Sequence, residues 1–486
     1  MMLIGLYTSR VILNVLGVED YGTYNVVGGV VSMFSLLTAS MSSAISRFLT
    51  YELGRGDLDH LKRVFSTSLN VQFIMAAIII VATEIVGVWF LNYKMNIPEG
   101  RMEAANWVMQ CSILTFVVGL LMSPYNASII SHEKMGIYAY VSIWDAIMKL
   151  LIVFALYISP FDKLKSYAVL LLCVSLMTTC IYWVYCKRHF EECRYQKILD
   201  KKLLKEITSY AGWGVVGDGA YILNTQGVNI LINLFFGVTL NAARGIATIV
   251  DNLMQNFVRN FMVALNPQII KNYAGGNLEQ MHKLIIQGSK FSFFLTILFL
   301  IPICLETRIL LKLWLSVVPE YTVVFTQLSL IASACIALTK TLTAAISATG
   351  DIRDFELVVC LMYLSIFPIT WIAFSFGMSP VSSYIIYLAI TFLMIFVKIH
   401  IVARKLHMSR SLFINEVLLK ALVVSFFSLI LPTVICIMQP DSLIRLLEVC
   451  IVSLISSTAS IWAVGMNKRE RCFILNIIRG NIMRKS

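Results

Sequence analysis

Between Thr67 and Leu91 the only charged side chain is Glu84, and between Ala105 and Ile129 there is none. Runs of this length and apolarity recur to the end of the chain. They constrain the fold more than any motif does. A hydrocarbon layer about 30 Å thick is crossed by roughly 20 helical residues, whereas a barrel strand needs only about 10. The runs here are of helical length. Of the 486 residues 58% are hydrophobic and 14% charged, where a soluble domain carries about a quarter charged, and the mean hydropathy is +0.81. The sequence reads as an all-α, polytopic integral membrane protein with the lipid bilayer as its first partner.

Fourteen spans can be drawn: 1–16, 21–49, 67–91, 105–129, 137–158, 167–185, 209–235, 240–265, 285–305, 321–346, 357–376, 384–402, 417–438 and 443–464. Connections are short, the longest being the polar, basic stretch 186–208. Arg55, Lys62, Arg63, Lys187, Arg188, Lys201, Lys202, Lys205, Lys283, Arg404 and Lys405 fall on one side, with a basic tail from Lys468 to Lys485. Fewer bases fall on the other: Lys94, Arg101, Lys163, Lys165, Arg308 and Lys312 among them. Cytoplasmic loops attract Lys and Arg. The first side is therefore expected to be cytoplasmic, with both termini on it. This asymmetry explains the net charge of +12, and no nucleic acid is needed as a partner. No cleavable signal peptide is visible. The first span reaches only about 24 Å at 1.5 Å per residue. Either the first helix begins upstream of Met1, or a short tilted helix thins the bilayer. The eleven cysteines form no C-x-x-C pair and sit mostly in apolar runs, so neither a disulfide framework nor a metal site is expected.

An ungapped internal repeat appears at an offset of 220. "LGVEDYGTYNVVGGVV" overlies "FGVTLNAARGIATIV", and "GDLDHLKR" overlies "GNLEQMHK". Two parallel six-span lobes follow, a transporter signature that places a substrate site near the midplane between repeats. The expected division is an N-lobe at 1–186 with a truncated first span, a basic connector at 187–208, a C-lobe at 209–405, two extra helices at 406–466 and a basic amphipathic tail at 467–486. That tail is expected to lie on an anionic leaflet.

Charged and amide side chains at membrane depth are costly and need protein or water around them. Span 8 carries Arg244, Thr248, Asp251, Asn252, Gln255, Asn256 and Arg259 at spacings of three and four, one broad wet face. Its bland reading is hydrogen bonding between helices; its functional reading is a cavity lining. Arg259 lies close enough to the helix end for snorkelling to compete. Span 7 shows Asp218, Tyr221, Thr225 and Asn229 on one face, with a glycine cluster (212, 214, 217, 219) that reads as a bend. Asp145 and Lys149 stand four apart in span 5, as an ion pair or a cavity charge. Arg10 in span 1 is too deep to snorkel easily. Arg47 is either an interfacial anchor or a headgroup ligand. Lys290 and Lys340 read as snorkelling residues, Asn266-Pro267 as a hinge, and the serines of span 2 as close packing.

"LYTSRVILNVLGVEDYGTYNVVGGVVSMFSLL", "RFLTYELGRGD" and "NAARGIATIVDNLMQNFVRNFMVALNPQIIKNYAGGN" resemble the Wzx-type polysaccharide flippases of the multidrug/oligosaccharidyl-lipid/polysaccharide (MOP) exporter superfamily. The resemblance runs over nearly the whole chain; the basic leader usual before the family's first helix is missing. It implies a MATE-like pair of six-helix lobes and alternating access in a bacterial inner membrane. The implied cargo is an undecaprenyl-pyrophosphate-linked oligosaccharide for surface polysaccharide such as O-antigen or capsule. It also implies coupling to a proton or sodium gradient without a bound cofactor, and work alongside a polysaccharide polymerase and chain-length machinery. Under that reading Arg10, Arg47, Lys149, Asn252, Asn256 and Arg259 contact cargo, while Asp145, Asp218 and Asp251 serve coupling or ion pairing. The physical logic is that a guanidinium holds phosphate oxygens bidentately. A multidrug cation antiporter and a peptidoglycan-precursor flippase are the nearer rivals. A membrane-embedded transferase is the distant one, since no histidine lies deep in a span and the external loops are short; no catalytic residue is expected.

Overall fold

In a computed structural model of the chain the described residues are 11–472, apart from 13–14, 18–19, 21–22, 25–26, 29–30, 32–33, 94–96, 98–99, 199 and 316–317. Arg10, the first ten residues of span 1 and most of the basic tail lie outside this set. Among the described residues every regular element is helical.

The chain divides into two compact units, Met1–Val215 and Val216–Ser486. The first holds α1 (Ser35–Arg55), α2 (Leu58–Ala82), α3 (Met102–Ser131), α4 (Met135–Ile158), α5 (Lys163–His189) and the start of α6 (Lys201–Phe236). The second holds the rest of α6, then α7 (Val238–Ala274), α8 (Leu278–Leu305), α9 (Thr322–Ala337), α10 (Lys340–Thr349), α11 (Arg353–Ser375), α12 (Ser382–Leu406), α13 (Lys420–Met438) and α14 (Leu443–Ser460). Ten helices are long and apolar enough to cross a membrane among the described residues. They coincide with spans 3–6 and 9–14. α6 and α7 occupy spans 7 and 8 as unbroken helices of 36 and 37 residues, but their polar faces take them out of the apolar class. The helix of spans 13's core shows where lipid belongs: its apolar window is only 22% buried, with Leu422, Phe426 and Ile437 exposed. An apolar helix so little covered by protein faces hydrocarbon.

The repeat reappears in the backbone. Gly17 and Gly237 have φ of 81° and 84°; Gly56 and Gly276 both have 74°. After Gly56 and Gly276, Asp57 and Asn277 cap the next helix by accepting from the backbone N–H of His60 and Gln280. Outside that strict register, the corners before spans 4 and 10 hold Gly100 (81°) and Tyr321 (64°), and the corners after them hold Glu133 (58°) and Gly350 (79°). Side chains differ at these corners while the left-handed turns recur.

Two features depart from the sequence reading and one refines it. The span 10 helix is interrupted at Leu338–Thr339, so Lys340 begins a new helix. The glycine-rich stretch of α6 does not break the helix. Gly217 instead makes room, since a Cβ there would stand 1.9 Å from Glu356 Oε2. Pro267 lies inside α7, which continues to Ala274.

α13 and α14 pack on each other and on α8, and ionic clamps tie them down at both ends. At one end Arg445 Nε and Nη2 donate to Glu306 Oε1 and Oε2, both at 2.9 Å. At the other, Lys290 Nζ donates to both oxygens of Glu470, at 2.8 and 2.7 Å. Lys290 is 1% exposed. A snorkelling lysine reaches water; this one does not, and the expectation is corrected. It is held by a carboxylate from beyond span 14, too remote in sequence for spacing to reveal.

The basic stretch before α6 is strapped to the first unit. Asn70 Nδ2 donates to Ile198 O at 3.0 Å, the Gln196 N–H donates to Ser66 Oγ at 3.0 Å, and His132 Nε2 stands 2.5 Å from Glu192 Oε1.

Candidate functional site

The wet face of span 8 forms on α7 because its polar residues recur at helical spacing beside a buried stripe of Ala243, Ala247, Met254, Val258 and Met262. Within the second unit this face serves two cavities in tiers, with Tyr221 of α6 lining both.

The larger chamber is about 270 Å³. Asn252, Gln255 and Arg259 of α7 line it, with Gly217, Asp218 and Tyr221 of α6, Lys340 and Thr343 of α10, Glu356 and Tyr363 of α11 and Lys398 of α12. Three cations therefore face two carboxylates. Among the described residues no carboxylate lies within 4.0 Å of Arg259, Lys340 or Lys398. Their charges stay available rather than being spent in closed pairs. Lys398 is only 8% exposed, and its ammonium lies 5.8 Å from the Phe355 ring centroid. Tyr221 and Tyr363 meet edge to face at 5.4 Å. Cations, amides and tyrosine rings in one wall bind oxyanions and sugar hydroxyls.

The smaller cavity, about 50 Å³, lies a tier further along α7, lined by Arg244, Thr248 and Asp251 with Asn224, Tyr384 and Tyr387 among others. Asp251 and Gln255 both engage α9. The Ser333 hydroxyl donates to Asp251 Oδ1, and Gln255 Nε2 donates to Ser333 Oγ at 3.0 Å. The bland reading of the amides thus holds for Gln255 while the lining reading holds for its neighbours.

The other candidates are scattered. Asn256 is exposed on α7 and lines neither cavity. Lys149 donates to Asp145 Oδ2 at 2.7 Å within α4 of the first unit, with both side chains partly exposed. Arg47 is 7% exposed, its guanidinium 4.6 Å from the Tyr51 ring, 4.8 Å from Phe48 and 5.9 Å from Tyr210. Such burial among rings is not that of an interfacial anchor. Of the span 2 serines, Ser42 meets α3, its hydroxyl sharing a hydrogen bond with that of Ser123 at 2.6 Å; Ser35 is exposed and Ser32 lies outside the described residues. Lys340 lines the chamber with Arg259, so its snorkelling reading gives way to a lining role.

Sequence reasoning missed Glu356 and Lys398. Glu356 sits in the first turn of α11, where an acid is ordinary helix-terminus electrostatics. Lys398 carried a usable signal: it is a charge two turns inside an apolar helix. The first unit holds a cavity of about 190 Å³ lined by Tyr24, Cys111, Ser112, Thr115 and Phe116, with no charged residue among its described lining. Among these three cavities the charged linings belong to the second unit.

No family profile matches the chain. A curated relative, the uncharacterized membrane protein EpsK of Bacillus subtilis (strain 168), is 18% identical over 277 residues, 57% of this chain and 55% of that protein. The chain thus spans about half the length of that relative. Among solved structures, an outward-facing multidrug resistance MATE family transporter of the MOP superfamily superposes with TM-score 0.72 at 13% identity, covering 84% of this chain and 92% of that one. A MOP superfamily transporter from Pyrococcus furiosus, described as having a binding pocket of reverse polarity, gives 0.69 at 12% identity over 85% and 93%. The MATE transporter ClbM, in complex with Rb+, gives 0.68 at 14% over 85% and 94%. These neighbours are transporters rather than enzymes, and the chain has the fold of the MATE transporters of the MOP superfamily.

Proposed function

We propose that the chain is a flippase that carries a lipid-linked oligosaccharide, of the undecaprenyl-pyrophosphate type, across a bacterial inner membrane by alternating access. Surface polysaccharide assembly is the destination of the cargo, and a polymerase with its chain-length partners takes it up on the far side. The basic loops face the cytoplasm in this reading. The observation that carries it is the α7 chamber: Arg259, Lys340 and Lys398 against Asp218 and Glu356, with amides and tyrosines between. Excess positive charge suits a pyrophosphate or an acidic sugar and opposes a cationic drug. The polyprenyl tail needs no chamber, because it remains in lipid. A proton or sodium gradient drives the cycle.

The fold neighbours include a multidrug transporter, so a drug antiporter is the rival. Proteoliposomes separate the two. Under the flippase reading, Arg259→Gln and Lys398→Met lose translocation of a lipid-linked oligosaccharide by tenfold or more while the protein stays inserted, and ethidium efflux is absent in wild type. Normal oligosaccharide transport in both variants, or robust ethidium efflux by the wild type, overturns the proposal.

A further inference from the structure

The smaller cavity contains a cation that no described carboxylate contacts, although Asp251 lies further along the same wall. Arg244 lies six residues into α7 from Val238, about 9 Å from the helix end. Its Nη2 donates to Thr225 O at 3.3 Å and its guanidinium lies 5.5 Å from the Tyr384 ring. Its Nε is buried with no acceptor among the described residues. Among the described residues no carboxylate is within ion-pair distance. The nearest acid on its own face, Asp251, is two turns away, about 10 Å along the axis, and already accepts from Ser333.

A second, independent group points into the same space. Asn224 is 3% exposed, lines the cavity, and its amide oxygen has no partner among the described residues. A half-turn of an amide exchanges its acceptor for its donors, so Asn224 offers N–H groups to whatever Arg244 holds. Tyr221, Tyr384 and Tyr387 add hydroxyl donors to the wall.

We propose that the cavity walled by Arg244, Asn224 and Tyr384 binds one small inorganic anion of halide size. Volume sets the class. A space of about 50 Å³ holds about four waters, which admits a chloride ion with part of its hydration and excludes a sugar ring or a pyrophosphate. A metal cation there meets the guanidinium head-on. The site is distinct from the chamber assigned to cargo and stands whether or not that assignment does.

The test uses the purified full-length protein in detergent, read by tryptophan fluorescence on heating. Sodium chloride is titrated against sodium gluconate at constant ionic strength, so sodium stays fixed. Chloride and bromide raise the unfolding midpoint saturably and gluconate does not. Arg244→Gln raises the apparent chloride Kd at least tenfold, whereas Arg259→Gln, in the other chamber, leaves it unchanged. Should Arg244→Gln fail to give a monodisperse protein, Asn224→Ala and Tyr384→Phe are read in its place, each with a severalfold rise in Kd. Equal midpoints in chloride and gluconate, or unaltered saturation in the Arg244 and Asn224 variants, mean that water alone fills the cavity and overturn the proposal.

Discussion

Arg445→Met is expected to destabilise the protein far more than removing the whole ion pair does. Glu306 is fully buried. It accepts two 2.9 Å hydrogen bonds from Arg445 and a 3.5 Å contact from the Cys436 thiol. Deleting the arginine leaves a buried carboxylate with only a thiol donor, a loss of about 3–5 kcal/mol. Glu306→Gln is milder, about 1–3 kcal/mol, because Arg445 keeps Asp441 at 2.9 Å and Gln439 O at 3.0 Å. The double variant Glu306→Leu/Arg445→Met strands no buried charge and is expected to lie within about 2 kcal/mol of wild type, since well-packed apolar replacement of a buried pair is often neutral. Heating detergent-solubilised fluorescent fusions and measuring the surviving monodisperse peak ranks the three. The reasoning fails if Arg445→Met is as stable as the double variant, or if Glu306→Gln is the worst of the set.

Other outcomes follow from the same structure. Gly217→Ala displaces the Glu356 carboxylate from its seat, so transport should fall severalfold with thermal stability nearly unchanged; a large stability loss with normal transport contradicts this. Gly56→Ala and Gly276→Ala meet no neighbouring atom but force φ of 74° on a Cβ, so each should cost about 1–2 kcal/mol in thermal unfolding. Asp162 caps α5 through the Leu164 and Lys165 N–H groups and pairs with Arg101. Partial burial raises its pKa, but the Lys165 N–H and the Arg101 guanidinium outweigh that and hold it below its usual value. A depressed carboxylate stabilises above its unfolded pKa of about 3.9 and loses that contribution as pH falls through the folded value. Asp162→Asn should therefore flatten the acid limb of stability below about pH 4 and leave the slope between pH 6 and 8 unchanged, read by unfolding midpoints across pH.

The apolar runs were legible because hydrocarbon permits few alternatives, and ten of them stand as membrane-length helices. The α7 face was legible because Asn252, Gln255 and Arg259 recur at helical spacing. What spacing cannot reveal is the partner across space. Lys290 looked like an anchor until Glu470, 180 residues away, supplied its counter-charge. Gly217 looked like a bend because the carboxylate that fills its empty side comes from α11. Lys149 and Asp145 were legible as a local pair, and that is how they stand. Arg259 and Lys340 became chamber cations only when α7 and α10 met.

The recurring corners carry a consequence for how such a chain changes over time. At one pair of corners glycine stands in the first copy and tyrosine in the second; at another, glutamate stands in the first and glycine in the second. The left-handed turn is thus demanded by the path of the chain, and glycine is merely its cheapest occupant. A duplicated scaffold of this kind separates two inheritances. Its corners persist under any residue that tolerates them, which leaves helix faces free to diverge. One copy can turn ionic while its twin stays neutral, without the route of either being redrawn.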